Sequence, residues 1–119
     1  MAEAYIVAAA RTAGGRKGGK LKDWHPADMG GKVIQDLVKR TGVDPELIED
    51  VIVGCVDQAG EQGMNIARNA VLAGGLPESV PATSVDRQCG SSQQALHFGA
   101  QAVMSGAMEI GRASCRERV

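Results

Sequence analysis

The chain has 119 residues, with 13 Lys and Arg against 14 Asp and Glu and a formal net charge of -1. A chain of this length can bury one small hydrophobic core. It has no basic stripe with interleaved aromatic residues, which argues against nucleic acid as a partner. The 16 glycines and the 3% aromatic content predict an interior of Ala, Val, Ile and Leu, which favours closely packed layers of helix and sheet.

The three cysteines are Cys55, Cys89 and Cys115, and their spacing fits neither a disulfide framework nor a CxxC zinc site. We therefore expect reduced thiols, no metal site and a cytoplasmic protein. The apolar run at residues 5–10 is short and has no basic residue before it. We expect neither a signal peptide nor a membrane-spanning helix there.

The first third of the chain predicts a strand, a loop and a helix. Residues 5–10 are typical of a buried strand. The glycine-rich residues 13–19 lack the order of glycines followed by Lys and Ser or Thr that defines a P-loop, so a surface loop is favoured over a phosphate cradle. A helix is predicted to start near His25 and Pro26 and to stop at Gly42. Its apolar face consists of Met29, Val33, Ile34, Leu37 and Val38.

The middle of the chain alternates between strands and helices. A short helical turn is predicted after Asp44 and Pro45. Further along the chain we expect strands at residues 50–56 and 81–85 and helices at residues 64–73 and 91–105. This alternation indicates a layered α/β fold.

The third predicted helix has an unusual composition, because no charged residue occurs between Gln88 and Met108. A helix that is apolar nearly all round is buried within a larger protein. Its three glutamines, its serines and His97 make a membrane helix the weaker alternative. Three predicted strands cannot surround such a helix. We therefore expect that part of the core is missing and that this chain alone folds poorly.

Residues 109–119 differ abruptly from what precedes them, with five charges in eleven residues and no helix or strand period. A solvated tail is one interpretation. The peptide also resembles the translation of a common short-read sequencing adaptor, and this second interpretation is favoured for residues 110–119. We accordingly divide the chain into residues 1–108 and a non-native tail at 109–119, in which Cys115 has no function.

Cys89, Gly90 and Ser91 stand where a predicted strand ends and a helix begins. The first N–H groups of a helix are unpaired and carry partial positive charge, so a thiol there ionises more readily, and the thiolate is the nucleophile. Gly90 allows a substrate to approach the backbone closely, and Ser91 and Ser92 supply hydroxyls or cap the helix. With a base and donors for the oxyanion, such a cysteine suits acyl transfer between thioesters. The alternative is a buried, inert cysteine.

Seven segments resemble thiolases in their order and spacing over residues 4–108. They are VAAART at 7–12, GCV at 54–56, GEQG at 60–63, NIAR at 65–68, GGLP at 74–77, VDRQCGSSQQA at 85–95 and SGAM at 105–108. The resemblance implies a thiolase-like layered α/β fold that is incomplete, with about half of the N-terminal thiolase domain present. It implies Cys89 as the catalytic nucleophile of a 3-ketoacyl-CoA acyltransferase. Coenzyme A and acyl-CoA are then substrates, no cofactor is tightly bound, and the complete protein is a homodimer or homotetramer.

The resemblance also implies which groups this chain lacks. The family's histidine in a Gly-His-Pro segment, its second cysteine in a Cys-x-Gly segment and its Asn-Glu motif lie beyond residue 119, so the chain alone is expected to be inactive. His25 and His97 match none of them: we predict a surface position for His25 and a buried, hydrogen-bonded one for His97. Cys55 is predicted to lie in the core. Asn65 and Arg68 resemble family positions near the dimer interface and the nucleophile loop, although a plain helix-surface role stays open. No coenzyme-binding residue is assigned.

Two rival functions remain at this point. A related condensing enzyme such as a ketoacyl synthase shares a Cys-Gly-Ser segment, although residues 60–68 favour a thiolase. A thiolase-like protein that binds lipid or acyl-CoA without turnover would keep the fold, and the presence of Cys89 argues against it.

Overall fold

The fold is taken from a computed structural model that describes the backbone of residues 3–114 and the side chains of residues 3–110. Three α-helices and three β-strands alternate along most of this range. They are α1 (Pro26–Thr41), β1 (Asp50–Gly54), α2 (Ile66–Ala73), β2 (Ala82–Val85), α3 (Ser91–Met104) and β3 (Gly111–Ser114), with 3-10 turns at Pro45–Leu47 and Gly60–Gln62. The predicted helices and the strands at β1 and β2 are confirmed within one or two residues.

The three strands form one parallel sheet in the order β2-β1-β3. Val51 of β1 pairs with Ala82 of β2, and Gly54 pairs with Val85, so both strands end at the same edge. Because successive residues of a strand face opposite sides of the sheet, β1 contacts a helical layer on each of its two faces. Val51 and Val53 pack into the core formed with α1 and α2, whereas Gly54 lies against the start of α3.

Helix α1 begins and ends at the residues that the sequence predicts. The Nδ1 atom of His25 accepts a hydrogen bond from the Ala27 N–H at 3.1 Å, and Pro26 occupies the first turn. At the other end Gly42 adopts a φ of +66°, and its N–H donates to the Val38 carbonyl at 3.0 Å. A left-handed residue of this kind is usually glycine because other residues carry a Cβ that disfavours it.

The strand predicted at residues 5–10 is wrong. This segment has no regular secondary structure, and Tyr5, Ile6 and Val7 are more than 70% exposed. The physical reason is that a strand needs a neighbouring strand for its backbone groups. Both edges of β1 are occupied by β2 and β3, and the segment pairs with neither of these outer strands. The segment instead borders an open depression of about 950 Å³ beside α1 and α3, and the Arg40 side chain donates to the Ala9 carbonyl at 3.3 Å.

Residues 109–119 show no strand period in the sequence, yet Gly111–Ser114 forms β3 beside β1. The carboxylate of Glu49 accepts hydrogen bonds from the N–H groups of Glu109 and Ile110, at 2.6 and 2.9 Å, and directs the chain toward the sheet. Strand pairing uses backbone groups, which every residue except proline supplies in full, so side-chain pattern alone did not reveal it. Cys115 lies outside the described residues.

Candidate active site

Cys89 lies in the turn that joins β2 to α3, at the edge of the sheet where β1 and β2 both end. Its side chain is exposed, and its thiol is free. The residue before it, Gln88, has a φ of +48°, which is uncommon for a residue with a Cβ. The Gln88 N–H donates to the Asp86 carboxylate at 2.8 Å. This sharp turn brings Cys89 to the surface immediately before the helix starts.

The start of α3 is fixed by close contact with β1. A Cβ added to Gly54 would lie only 2.4 Å from backbone atoms of Ser91 and Ser92, so only glycine allows this approach. The Cys55 N–H continues the sheet by donating to the Val85 carbonyl at 2.9 Å. The end of β2 and the first turn of α3 are thus held against the same end of β1.

Ser91 links the helix to the turn through its side chain, which is buried at 2% exposure. Its Oγ donates to the Gln88 carbonyl at 2.6 Å and accepts from the Arg87 N–H at 2.8 Å. The cap residue Gly90 makes no side-chain hydrogen bond to the helix N-terminus. The first turn of α3 therefore faces the Cys89 turn without a capping side chain over it.

Two side chains at the start of α2 support β2 and the loop that precedes it. Asn65 donates to the Ala82 carbonyl at 2.9 Å and accepts from the Ser84 hydroxyl at 2.9 Å. The Arg68 guanidinium donates to the carbonyls of Val80 and Glu78, at 2.7 and 3.0 Å. Asn65 therefore holds β2, the strand that leads to Cys89, and Arg68 holds the loop before it. This is a more specific role than the plain helix-surface alternative that the sequence left open.

Cys55 occupies the interior, as predicted. It is 3% exposed and packs with Ala27 and Ile66, and its Sγ donates to the Asp57 carbonyl at 3.6 Å. Cys55 and Cys89 thus stand in opposite environments, one enclosed and one exposed. Exposure is one condition for a reactive cysteine, which favours Cys89.

The two histidines lie apart from the turn. His25 is exposed and caps α1, as predicted. The prediction of a buried His97 is wrong: its side chain is exposed and borders the depression beside residues 3–8. It lies seven residues after Gly90, or about 10 Å along the helix axis. Within the described part of the chain, the hydrogen bonds of the Cys89 turn include neither histidine.

Two carboxylates with a shifted pKa lie at the other end of the sheet, where β1 begins. The N–H groups of Ile110 and Glu109 lower the pKa of Glu49. Burial raises the pKa of Asp50, partly offset by a hydrogen bond from the Val51 N–H. Both groups lie at the end of the sheet opposite Cys89, and only the Glu49 carboxylate is stabilised there by its hydrogen bonds.

The described residues form neither a metal-binding cluster nor a membrane-spanning helix. No group of three or more His, Cys, Asp or Glu side chains there is placed to hold a metal ion. None of the helices described is both long and apolar enough to cross a bilayer.

Sequence reasoning did not identify two features of the site: the close approach at Gly54 and the left-handed Gln88. A glycine inside a predicted strand was a usable signal for the first, because it marks a bulge or a close backbone contact. No comparable signal exists for Gln88, since glutamine has no preference for that conformation.

Comparison with known proteins gives the family. A family model described as the thiolase N-terminal domain matches residues 4–119. The steroid 3-ketoacyl-CoA thiolase FadA6 of Mycobacterium tuberculosis is 54% identical over 110 residues, covering 92% of this chain and 27% of that protein. A 3-ketoacyl-CoA thiolase of Pseudoalteromonas translucida is 50% identical over 104 residues, covering 86% and 27% respectively.

The fold agrees with this assignment. The crystal structure of the Bacillus anthracis acetyl-CoA acetyltransferase superposes with a TM-score of 0.78 at 37% identity, covering 85% of this chain and 25% of that one. The predicted α/β layered fold is thereby confirmed. The chain spans about a quarter of the length of the relatives it matches. The chain belongs to the thiolase family, in which it matches the N-terminal domain.

Proposed function

We propose that Cys89 is the nucleophile of a thiolase-type acyltransferase that acts on 3-ketoacyl-CoA. The observation that carries the proposal is the exposed thiol of Cys89 at the strand-to-helix turn of a thiolase N-terminal domain. The names of the relatives, which include 3-ketoacyl-CoA thiolase, supply the substrate class.

In the proposed reaction the Cys89 thiolate attacks the 3-keto carbon, and the bond between C2 and C3 breaks. The departing carbanion takes a proton and leaves as acetyl-CoA, while the remaining acyl group stays on Cys89 as a thioester. The thiol of coenzyme A then gives up its proton to a base and attacks this thioester. The shortened acyl-CoA leaves, and the Cys89 thiolate is regenerated. Run in reverse, the same steps form 3-ketoacyl-CoA by Claisen condensation.

This chain alone is expected not to complete that cycle, because a base and further donors are needed around the thiolate. Neither His25 nor His97 is hydrogen-bonded to the Cys89 turn in the described part of the chain. We propose that these groups, the coenzyme A pocket and a dimer or tetramer arrangement belong to the complete protein. Thiolysis of acetoacetyl-CoA by the purified 119-residue chain should not exceed that of its Cys89→Ser variant. A clear excess would contradict the proposal that the base and the further donors lie outside this chain.

The nucleophile itself is tested in a protein that joins residues 1–108 to the rest of a thiolase. Incubation with a radiolabelled acyl-CoA should label Cys89 and leave the Cys89→Ser variant unlabelled, and added coenzyme A should remove the label. An unlabelled but acyl-CoA-binding protein would support the lipid-binding alternative. A label that is transferred to a carbon nucleophile but never to coenzyme A would support the ketoacyl-synthase alternative.

We also propose that residues 110–119 are foreign to the natural protein, on the resemblance of that peptide to a translated sequencing adaptor. Genomic DNA across codons 105–119 tests this. Continuation of the reading frame into a different sequence after Met108 is expected, and a genuine stop codon after Val119 would overturn the proposal.

A further inference from the structure

Ser91 is the one polar side chain that is buried among the residues whose side chains the structure describes. A buried hydroxyl is costly unless it is hydrogen-bonded, and both bonds formed by Ser91 are to the backbone of the Cys89 turn. They reach the N–H of Arg87 and the carbonyl of Gln88, which are the two ends of the dipeptide that precedes Cys89.

The bond to the Gln88 carbonyl determines how Cys89 is presented. That carbonyl belongs to the peptide bond joining Gln88 to Cys89, which is trans. A trans peptide is rigid and planar, so fixing the direction of its carbonyl also fixes where the next Cα lies. The same carbonyl accepts the Ser91 N–H at 3.1 Å, so side chain and backbone of Ser91 hold it together.

The turn is held in a conformation that it would not adopt freely. Gln88 has a φ of +48°, which is disfavoured for a residue with a Cβ. Movement of α3 toward the sheet cannot relieve it, because the helix backbone already touches β1 at Gly54. The Ser91 hydroxyl, bonded to both ends of the Arg87–Gln88 dipeptide, opposes relaxation at Gln88 itself.

We propose that Ser91 is a positioning residue that holds Gln88 in the left-handed conformation and thereby keeps the Cys89 thiol at the start of α3. This inference rests on the proposed role of Cys89 as the nucleophile. Ser91 touches no reacting atom, and its effect reaches the chemistry through the peptide bond between Gln88 and Cys89.

The test measures alkylation of Cys89 by iodoacetamide in the protein that joins residues 1–108 to the rest of a thiolase, and peptide mass spectrometry locates the label. The rate in buffer is divided by the rate in urea, which removes intrinsic differences between variants. The ratio therefore reports how the folded turn presents the thiol to the reagent. Ser91→Ala should lower this ratio about tenfold, the factor that corresponds to the cost of one left-handed residue.

Two controls separate positioning from general damage to the fold. Ser105→Ala makes the same chemical change at the exposed C-terminal end of α3 and should leave the ratio unchanged. Cys55 is buried and reports unfolding, so its alkylation should stay slow in the Ser91→Ala variant.

A second variant tests the mechanism itself. Glycine adopts a positive φ readily, so in a Gln88→Gly background the Ser91→Ala change should lower the ratio by less than about threefold. The same tenfold loss with Gly at position 88, or parallel acceleration at Cys55, would overturn the proposal. So would an unchanged ratio in the Ser91→Ala variant. These measurements use no acyl-CoA, so their failure is distinguishable from failure of acyl labelling at Cys89.

Discussion

The two faces of the sheet are packed to very different degrees. On one face α1 and α2 enclose a core in which Ile34 and Val71 are at most 1% exposed. On the other face α3 buries only Ser91, Ala95 and Gly99, and both Leu96 and Phe98 remain 41% exposed. Both faces are built from small and apolar residues, so composition does not explain the difference.

The difference lies in the neighbours that each helix has. Helices α1 and α2 approach closely because Gly31 lies against Gly74, where a Cβ would be 2.8 Å from a backbone nitrogen. Helix α3 has the sheet on one side, whereas an open depression lies on the other, bordered by the irregular residues 3–8, the end of α1, Val43, Ile48 and residues 109–110. The first face should therefore be the stable unit of this chain, and α3 should open more readily.

The largest expected effect comes from removing a buried side chain on the α1–α2 face. Ile34→Ala should lower the free energy of opening of the β1 and α2 amides by about 2–5 kcal/mol, because it deletes packed atoms and leaves a cavity. Hydrogen exchange of those amides measures this. Leu96→Ala is the matched control on α3 and should change the same amides by about 0.5 kcal/mol or less. Equal losses for the two variants would refute the contrast between the faces.

A smaller effect is expected where α3 contacts the sheet. Gly54→Ala places a Cβ against the backbone of Ser91 and Ser92, which no side-chain rotation can relieve. We expect a loss of about 1–3 kcal/mol, seen as faster hydrogen exchange throughout α3. Gly14→Ala is the control, since a Cβ at Gly14 meets nothing within 4 Å. Unchanged exchange in α3 would show that the helix is not anchored at Gly54.

The smallest effect concerns pH at the entry to β3. The N–H groups of Ile110 and Glu109 lower the pKa of Glu49 in the folded state. A lowered folded pKa means that the stabilisation is present above the unfolded pKa of about 4.3 and is lost as pH falls through the folded value. Because Glu49 is exposed, the effect should be confined to this junction. The NMR shifts of the Glu109 and Ile110 amides should follow this titration, and in the Glu49→Gln variant they should not. A titration that persists in Glu49→Gln would assign the effect to another group.

The sequence by itself determined the local elements and the place of Cys89 among them. The cap at His25, the stop at Gly42 and the apolar spacing fixed α1, because these signals act through groups a few residues apart. The alternation of strands and helices gave the layered fold, and the motif around Cys89 indicated its position at a strand-to-helix turn. Cys55 was correctly assigned to the interior because it ends an apolar strand.

Only the tertiary structure decided which partners those elements find. Residues 5–10 have the pattern of a strand but pair with no strand of the sheet, whereas Gly111–Ser114 lack the pattern and pair with β1 through backbone groups. His97 is exposed because the burial of a helix face depends on what lies against it, and not on the absence of charge in its own sequence. The sequence placed the Cys89 thiol at a helix start, but it did not reveal the contacts around it. The left-handed Gln88, the close approach at Gly54 and the buried Ser91 hydroxyl arise only where β1, β2 and α3 meet.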